Sequence, residues 1–190
     1  MTSSPARRLV GIAGAPGAGK TTYAERLVAD ADVLAAYLPM DGFHLADRTL
    51  VTLGLLDRKG APETFDAWGY AALLHRVRAA RETVWAPAFE RDLEQPLAGA
   101  LAIPPDAELV VTEGNYLLLD LPEWRAVRAE LDEVWYLDCP DDVRRPRLVA
   151  RHVEFGKSPT EAEAWVARVD DANAALVAAS RDRADRVVTA

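Results

Sequence analysis

The sequence predicts an α/β fold in three layers, a five-stranded, mainly parallel sheet flanked by helices, and three observations predict it. Short apolar runs bounded by glycine or acidic residues recur at 9–13, 37–40, 109–112, 134–137 and 186–189. Stretches of helical periodicity separate them, and near-continuous apolar strands alternating with helices are the pattern of a parallel sheet covered on both faces. The third observation is a glycine-rich segment that follows the first run and leads directly into a helix. The 190 residues suit one compact domain with its own core, and residues 1–190 read as a single unit without repeat, low-complexity tract or linker.

Each helix has a recognisable start. Asp66 is placed to cap a helix, with Phe65 and Tyr70 spaced as a hydrophobic staple and Leu73, Leu74 and Val77 following on one face. Residues 122–131 and 141–152 form two further helical stretches. Ser158-Pro159-Thr160-Glu161 has the spacing of a capping box with proline at the first helical position, and opens a helix expected to run to about Ser180. Residues 85–105, with four prolines, are the least regular part.

The composition excludes several classes. A formal net charge of -8 argues against general nucleic-acid binding, which needs a basic face for the phosphates. One cysteine, Cys139, cannot close an intramolecular disulfide, and no Cys cluster exists for a structural zinc or iron–sulfur centre. No apolar run approaches the ~18 residues of a membrane span, so neither a span nor a signal peptide is expected and the location is expected to be cytoplasmic. The acid is uneven: residues 61–143 hold six Lys/Arg against seventeen Asp/Glu, whereas Arg144, Arg145, Arg147 and Arg151 stand together with no acid among them.

Chemistry enters at Gly14-Ala15-Pro16-Gly17-Ala18-Gly19-Lys20-Thr21, which matches the phosphate-loop pattern GxxxxGK[ST] between a strand and a helix. Glycines let successive backbone N–H groups turn toward phosphate oxygens, and the helix N-terminus adds its positive end. With Thr22, these residues are the expected triphosphate site. Lys20 would bridge the β- and γ-phosphates and Thr21 would offer its hydroxyl to Mg²⁺, which makes ATP and Mg²⁺ the expected cofactors.

Two acids end neighbouring strands beside this loop. Asp41 follows 37–40 and precedes Gly42-Phe43-His44; Glu113 follows 109–112 and precedes Gly114-Asn115. Strand ends at this side of an α/β sheet gather the chemistry. Glu113 is expected to hold the metal with Thr21, and Asp41 to accept the proton of an attacking hydroxyl, although a strand-end acid can also merely cap a turn. His44 is a weaker candidate for contact with the acceptor.

These residues resemble the small P-loop kinases that include uridine kinase, phosphoribulokinase and bacterial-type pantothenate kinase. The resemblance rests on Gly14 to Thr22, Met40-Asp41-Gly42-Phe43, Gly54-Leu55, Arg58-Lys59-Gly60-Ala61-Pro62-Glu63-Thr64-Phe65-Asp66, and Glu113-Gly114-Asn115-Tyr116. It extends to small bacterial proteins labelled nucleoside/nucleotide kinase-like or fructokinase-like. It implies a P-loop NTPase fold, Asp41 as catalytic acid or base, and Lys59 and Asp66 in the acceptor pocket. Where pantothenate kinase has Tyr-Ser-His, this chain reads Phe89-Glu90-Arg91.

The arginine segment 144–158 falls where such kinases carry a lid. Arg147 and Arg151 share a helix face if the helix continues past Pro146, and their planar cations suit a transferring phosphoryl group. The competing reading is a solvated face paired with Asp141 and Asp142. Arg58, Lys59, Asp66 and Arg91, with Phe43, Trp68, Trp85 or Phe89 as apolar wall, are candidates for the acceptor pocket. The expected activity is ATP-dependent phosphoryl transfer to a hydroxyl of a small metabolite such as a nucleoside, a sugar or a pantothenate-like compound. A nucleotide kinase with a phosphate acceptor and a non-catalytic nucleotide-binding regulator are the alternatives. The expected partners are the small-molecule acceptor and, as an open option, a second copy in a homodimer, with no nucleic acid and no membrane.

Overall fold

The structure is a computed structural model and describes residues 7–189. Strands β1 (Arg8–Ala13), β2 (Ala35–Pro39), β5 (Leu109–Gly114), β6 (Glu133–Asp138) and β7 (Arg186–Thr189) form one sheet in the order β2-β5-β1-β6-β7, with every pair parallel. The central strand β1 shows why three layers form. Its alternate residues Leu9 and Ala13 face one core, with Leu38, Val110 and Val134, while Val10 and Ile12 face another, with Val111 and Leu137. Helices α3 (Ala67–Ala79) and α4 (Pro122–Ala129) close the first core through Tyr70, Leu74, Val77, Trp124 and Val127. Helix α1 (Lys20–Ala29) closes the second through Tyr23, Ala24 and Leu27.

The caps read from sequence are present. Asp66 accepts a hydrogen bond from the Gly69 N–H at 2.8 Å, and Phe65 and Tyr70 both lie in the first core. The Ser158 hydroxyl accepts from Glu161 N, and Ser158 N donates back to the Glu161 carboxylate at 2.9 Å. The helix they open is α6 (Pro159–Trp165), which passes through a π-helical turn at Val166–Asp170 into α7 (Asp171–Ala178). Helix α5 (Asp141–Glu154) continues through Pro146, and α2 (Asp47–Leu53) follows the second strand.

Residues 85–105 are regular, contrary to the expectation from their prolines. Strands β3 (Val84–Glu90) and β4 (Gln95–Ile103) pair as an antiparallel hairpin. Its prolines sit where a ladder tolerates them: Pro87 at the register shift between Ala86 and Ala88, and Pro96 near the start of β4.

Parallel register sets the site. Ile12 and Pro39 both stand opposite Glu113, and Ala13 stands opposite Gly114, so the carboxyl ends of β1, β2 and β5 finish at one level. The phosphate loop, the Asp41 turn and Glu113 therefore emerge side by side.

Candidate active site

Above these strand ends lies a cleft of about 450 Å³. The loop floors one end. Gly19 takes the left-handed conformation (φ 90) at the N-cap of α1, a turn that favours glycine and sends Lys20 into the first helical turn. Lys20 is buried, and its ammonium donates to Ala15 O at 3.0 Å and to Asn115 Oδ1 at 2.7 Å, which aims the charge along the loop. Burial pulls its pKa down, opposed chiefly by Glu113 and then Asp41.

Glu113 is buried and accepts from the Tyr37 hydroxyl at 2.9 Å and from the Thr21 hydroxyl at 3.4 Å. Burial pushes its pKa up, and the nearby Asp41 charge adds to the shift while Lys20 opposes it. Thr21 and Glu113 supply hard oxygen donors beside the loop. Mg²⁺ characteristically takes one or two protein oxygens and fills its octahedron with phosphate oxygens and water, so this pair fits it.

Asp41 sits in the turn after β2, across the cleft from Lys20. Gly42 makes the turn compatible with the hairpin, because a Cβ there would collide with the Pro87 carbonyl of β3. One Asp41 oxygen, Oδ2, accepts from Arg91 Nη2 at 3.1 Å. Burial alone would raise the Asp41 pKa, yet His44, Arg91, Lys20 and Arg151 outweigh it and hold the carboxyl below its ordinary value. His44 itself is depressed to about 4, chiefly by burial, so at neutral pH the three cations carry this effect. Its ring lies 4.0 Å from Phe65 and 5.0 Å from Phe89 between centroids, and Nδ1 is buried without a partner.

The four arginines of the lid segment divide between the two readings of them. Arg144 is buried, bonded to Asp141 at 2.6 Å and Asp171 at 2.7 Å, and Arg145 reaches the same two acids. They tie α5 to α7, with Asp171 as partner where Asp142 was expected. Arg147 and Arg151, one turn apart on the other face, line the cleft. Arg147 Nη1 lies 3.6 Å from where a side chain on Gly19 would begin. Arg151 has its pKa lowered, first by burial and then by the neighbouring Arg91 cation.

Among the other acceptor candidates, Lys59, Arg91 and Phe89 line the cleft with His44. Lys59 is occupied structurally, donating to Asp47 Oδ1 at 2.7 Å and Glu94 O at 2.5 Å, which fastens the hairpin turn to the start of α2. Three candidates face elsewhere. Arg58 pairs with Glu63 at 2.6 Å, the Asp66 carboxylate is taken by its cap, and the Phe43 ring packs on Tyr70 at 4.7 Å. Trp68 and Trp85 are exposed and build no wall.

Several residues escaped sequence reading. Asn115 and Tyr37 orient Lys20 and Glu113, and their only signal is adjacency to the two strand ends. Trp165, Val169 and Asp170 reach the cleft from around the π-helical turn, and Phe155 from the end of α5. Such turns recur at functional sites because the extra residue re-aims side chains. Asp170 pairs with His152 at 2.9 Å, while Asn173 and Tyr116 both donate to Gly60 O.

Similarity to known proteins agrees with this geometry. Protein YggC of Escherichia coli K12, described as uncharacterized, is 36% identical over 196 residues, spanning 99% of this chain and 80% of YggC. The ATP-dependent kinase-like protein notR' of Aspergillus versicolor is 36% identical over 133 residues, spanning 66% of this chain and 77% of notR'. A crystal structure from Silicibacter sp. TM1040, of a "putative fructose transport system kinase", superposes with a TM-score of 0.90 at 40% identity, covering 99% of this chain and 92% of that one. Among the described residues no helix is long and apolar enough to cross a membrane. The model of the phosphoribulokinase / uridine kinase family matches residues 9–190, and the chain belongs to that family of P-loop kinases.

Proposed function

We propose that the chain transfers the γ-phosphoryl group of ATP to a hydroxyl of a small metabolite. The observation that carries this reading is Asp41: a carboxylate held ionised by surrounding cations, open to the cleft, with Oδ2 bound to Arg91 and Oδ1 left to accept a proton. A hydroxyl docked on Oδ1 is aligned on the phosphate loop and gives its proton to Asp41 as its oxygen bonds the γ-phosphorus and the bond to the β–γ bridging oxygen breaks, leaving ADP. Lys20 and the loop amides hold the β- and γ-phosphates. Arg147 and Arg151 meet the charge that spreads over the transferring oxygens. Mg²⁺, held by Thr21 and Glu113, supplies neutralisation of the phosphate charge when bound. Closure of α5 and α6 over the cleft would exclude water, limiting wasteful hydrolysis.

A phosphate as attacked group finds less support, because Arg58, one of the two arginines that would favour it, is committed to Glu63 outside the cleft. The test is ADP release from MgATP by the full chain over a panel of nucleosides, sugars and hydroxy acids. Acceptor-dependent release with product mass increased by one phosphoryl group is expected. Background hydrolysis with every acceptor, alongside normal ATP binding, would count against the reading and favour a nucleotide-binding regulator.

A further inference from the structure

The far end of the cleft carries two guanidiniums, Arg91 and Arg151, with one close carboxylate, Asp41. Arg91, in the turn of the β3–β4 hairpin, uses one side-chain N–H group on Asp41, and its guanidinium makes no other hydrogen bond among the described residues. Its guanidinium lies over the Phe89 ring, 5.4 Å from the centroid, and keeps donors beyond the one used on Asp41. Arg151 enters the same cleft from α5, where burial and the Arg91 cation lower its pKa, and it forms no salt bridge among the described residues. Between them stands one carboxylate, Asp41.

The other charged groups nearby are spoken for. Lys59 is neutralised by Asp47 and the hairpin turn, and Asp170 is taken by His152. His44 is uncharged at neutral pH. The triphosphate has its own donors at the opposite end, in Lys20, Arg147 and the loop amides, so it does not account for Arg91. Paired guanidiniums, partly withdrawn from water and sharing a single carboxylate, leave one positive charge to receive a planar or tetrahedral oxyanion. Two guanidiniums offer donors only, whereas a nucleoside base presents both donors and acceptors.

We infer that the acceptor carries an anionic group, a carboxylate or a phosphate, besides the hydroxyl it offers, and that Arg91, assisted by Arg151, receives it. This rests on the phosphotransfer reading for the hydroxyl, but the anion contact itself exists before any transfer. The acceptor class is therefore a hydroxy acid or a sugar phosphate rather than a neutral sugar or nucleoside. Arg91 binding this anion still leaves Asp41 ionised, since Lys20 and Arg151 remain beside it.

The experiment is equilibrium binding to the full chain saturated with Mg²⁺ and a non-hydrolysable ATP analogue, which fills the phosphate end. The probes are matched pairs: D-glycerate against glycerol, and fructose 6-phosphate against fructose. The charged member of at least one pair should bind roughly 10- to 100-fold tighter than its neutral partner, and the better pair identifies carboxylate or phosphate. Arg91→Met should erase that preference and Arg91→Lys restore part of it, with affinity for the ATP analogue as the folding control. Equal binding within both pairs overturns the inference, as does a charge preference that survives Arg91→Met. Either result leaves the phosphotransfer reading standing, because that reading is judged by ADP release.

Discussion

The two ends of the cleft are built in opposite ways. The phosphate end comes from one contiguous segment, residues 14–22, completed by a strand end. The acceptor end is assembled from the Asp41 turn, the Lys59–Gly60 loop, the β3–β4 hairpin, α5 and the π-helical turn. A contiguous segment fixes its own geometry through local φ/ψ and helix-terminus electrostatics, so one chemistry recurs wherever the pattern occurs. An end assembled from distant segments can change shape with any of them. That contrast explains why family membership conveys phosphotransfer more firmly than substrate.

Substitutions can break this comparison. Lys20→Ala should lower kcat/KM by about 10³-fold or more with any acceptor, because it removes charge from the phosphates themselves. Initial rates with two unlike acceptors check whether the loss is common to both. Arg147→Met or Arg151→Met should each cost about 10²-fold, whereas Arg145→Met, on the same helix but paired at the surface with Asp141 and Asp171, should stay within about twofold. Similar losses at Arg145 and Arg147 would dissolve the division of the helix into a structural and a catalytic face.

Two smaller effects concern stability. His44 has a folded-state pKa of about 4, below its unfolded value, so the unfolded chain binds more protons between these values. Wild-type stability should therefore fall as pH drops from about 6.5 toward 4. The loss should exceed that of His44→Gln by roughly 3 kcal/mol in urea unfolding. Asp66→Ala removes the α3 cap and should cost about 1 kcal/mol in urea unfolding at neutral pH, with little change in acceptor KM.

What the sequence disclosed follows the same division. The strand pattern, the loop, both terminal acids and the two caps are local signals, and they correspond to β1, β2, β5, β6, β7 and the starts of α3 and α6. The hairpin was hidden because Pro87 and Pro96 break the alternation that marks a strand, although Pro87 sits at the register shift and Pro96 near the start of β4. Lys59 was legible as an acceptor-pocket candidate but not as a strut, since its partners Asp47 and Glu94 lie 12 and 35 residues away. Likewise, helical spacing put Arg147 and Arg151 on one face, yet only the packing of α5 on α7 reveals which face is inward. The π-helical turn has no signature in the sequence, so Asp170 and Val169 could not be assigned to the cleft in advance.

The most direct test of the central claim is Asp41→Asn, in which the remaining amide oxygen can still accept from Arg91 but the group no longer takes a proton. Acceptor-dependent ADP release should fall by about 10³-fold while affinity for the ATP analogue changes less than about threefold. Turnover at the wild-type rate would contradict the account and remove Asp41 from the reaction.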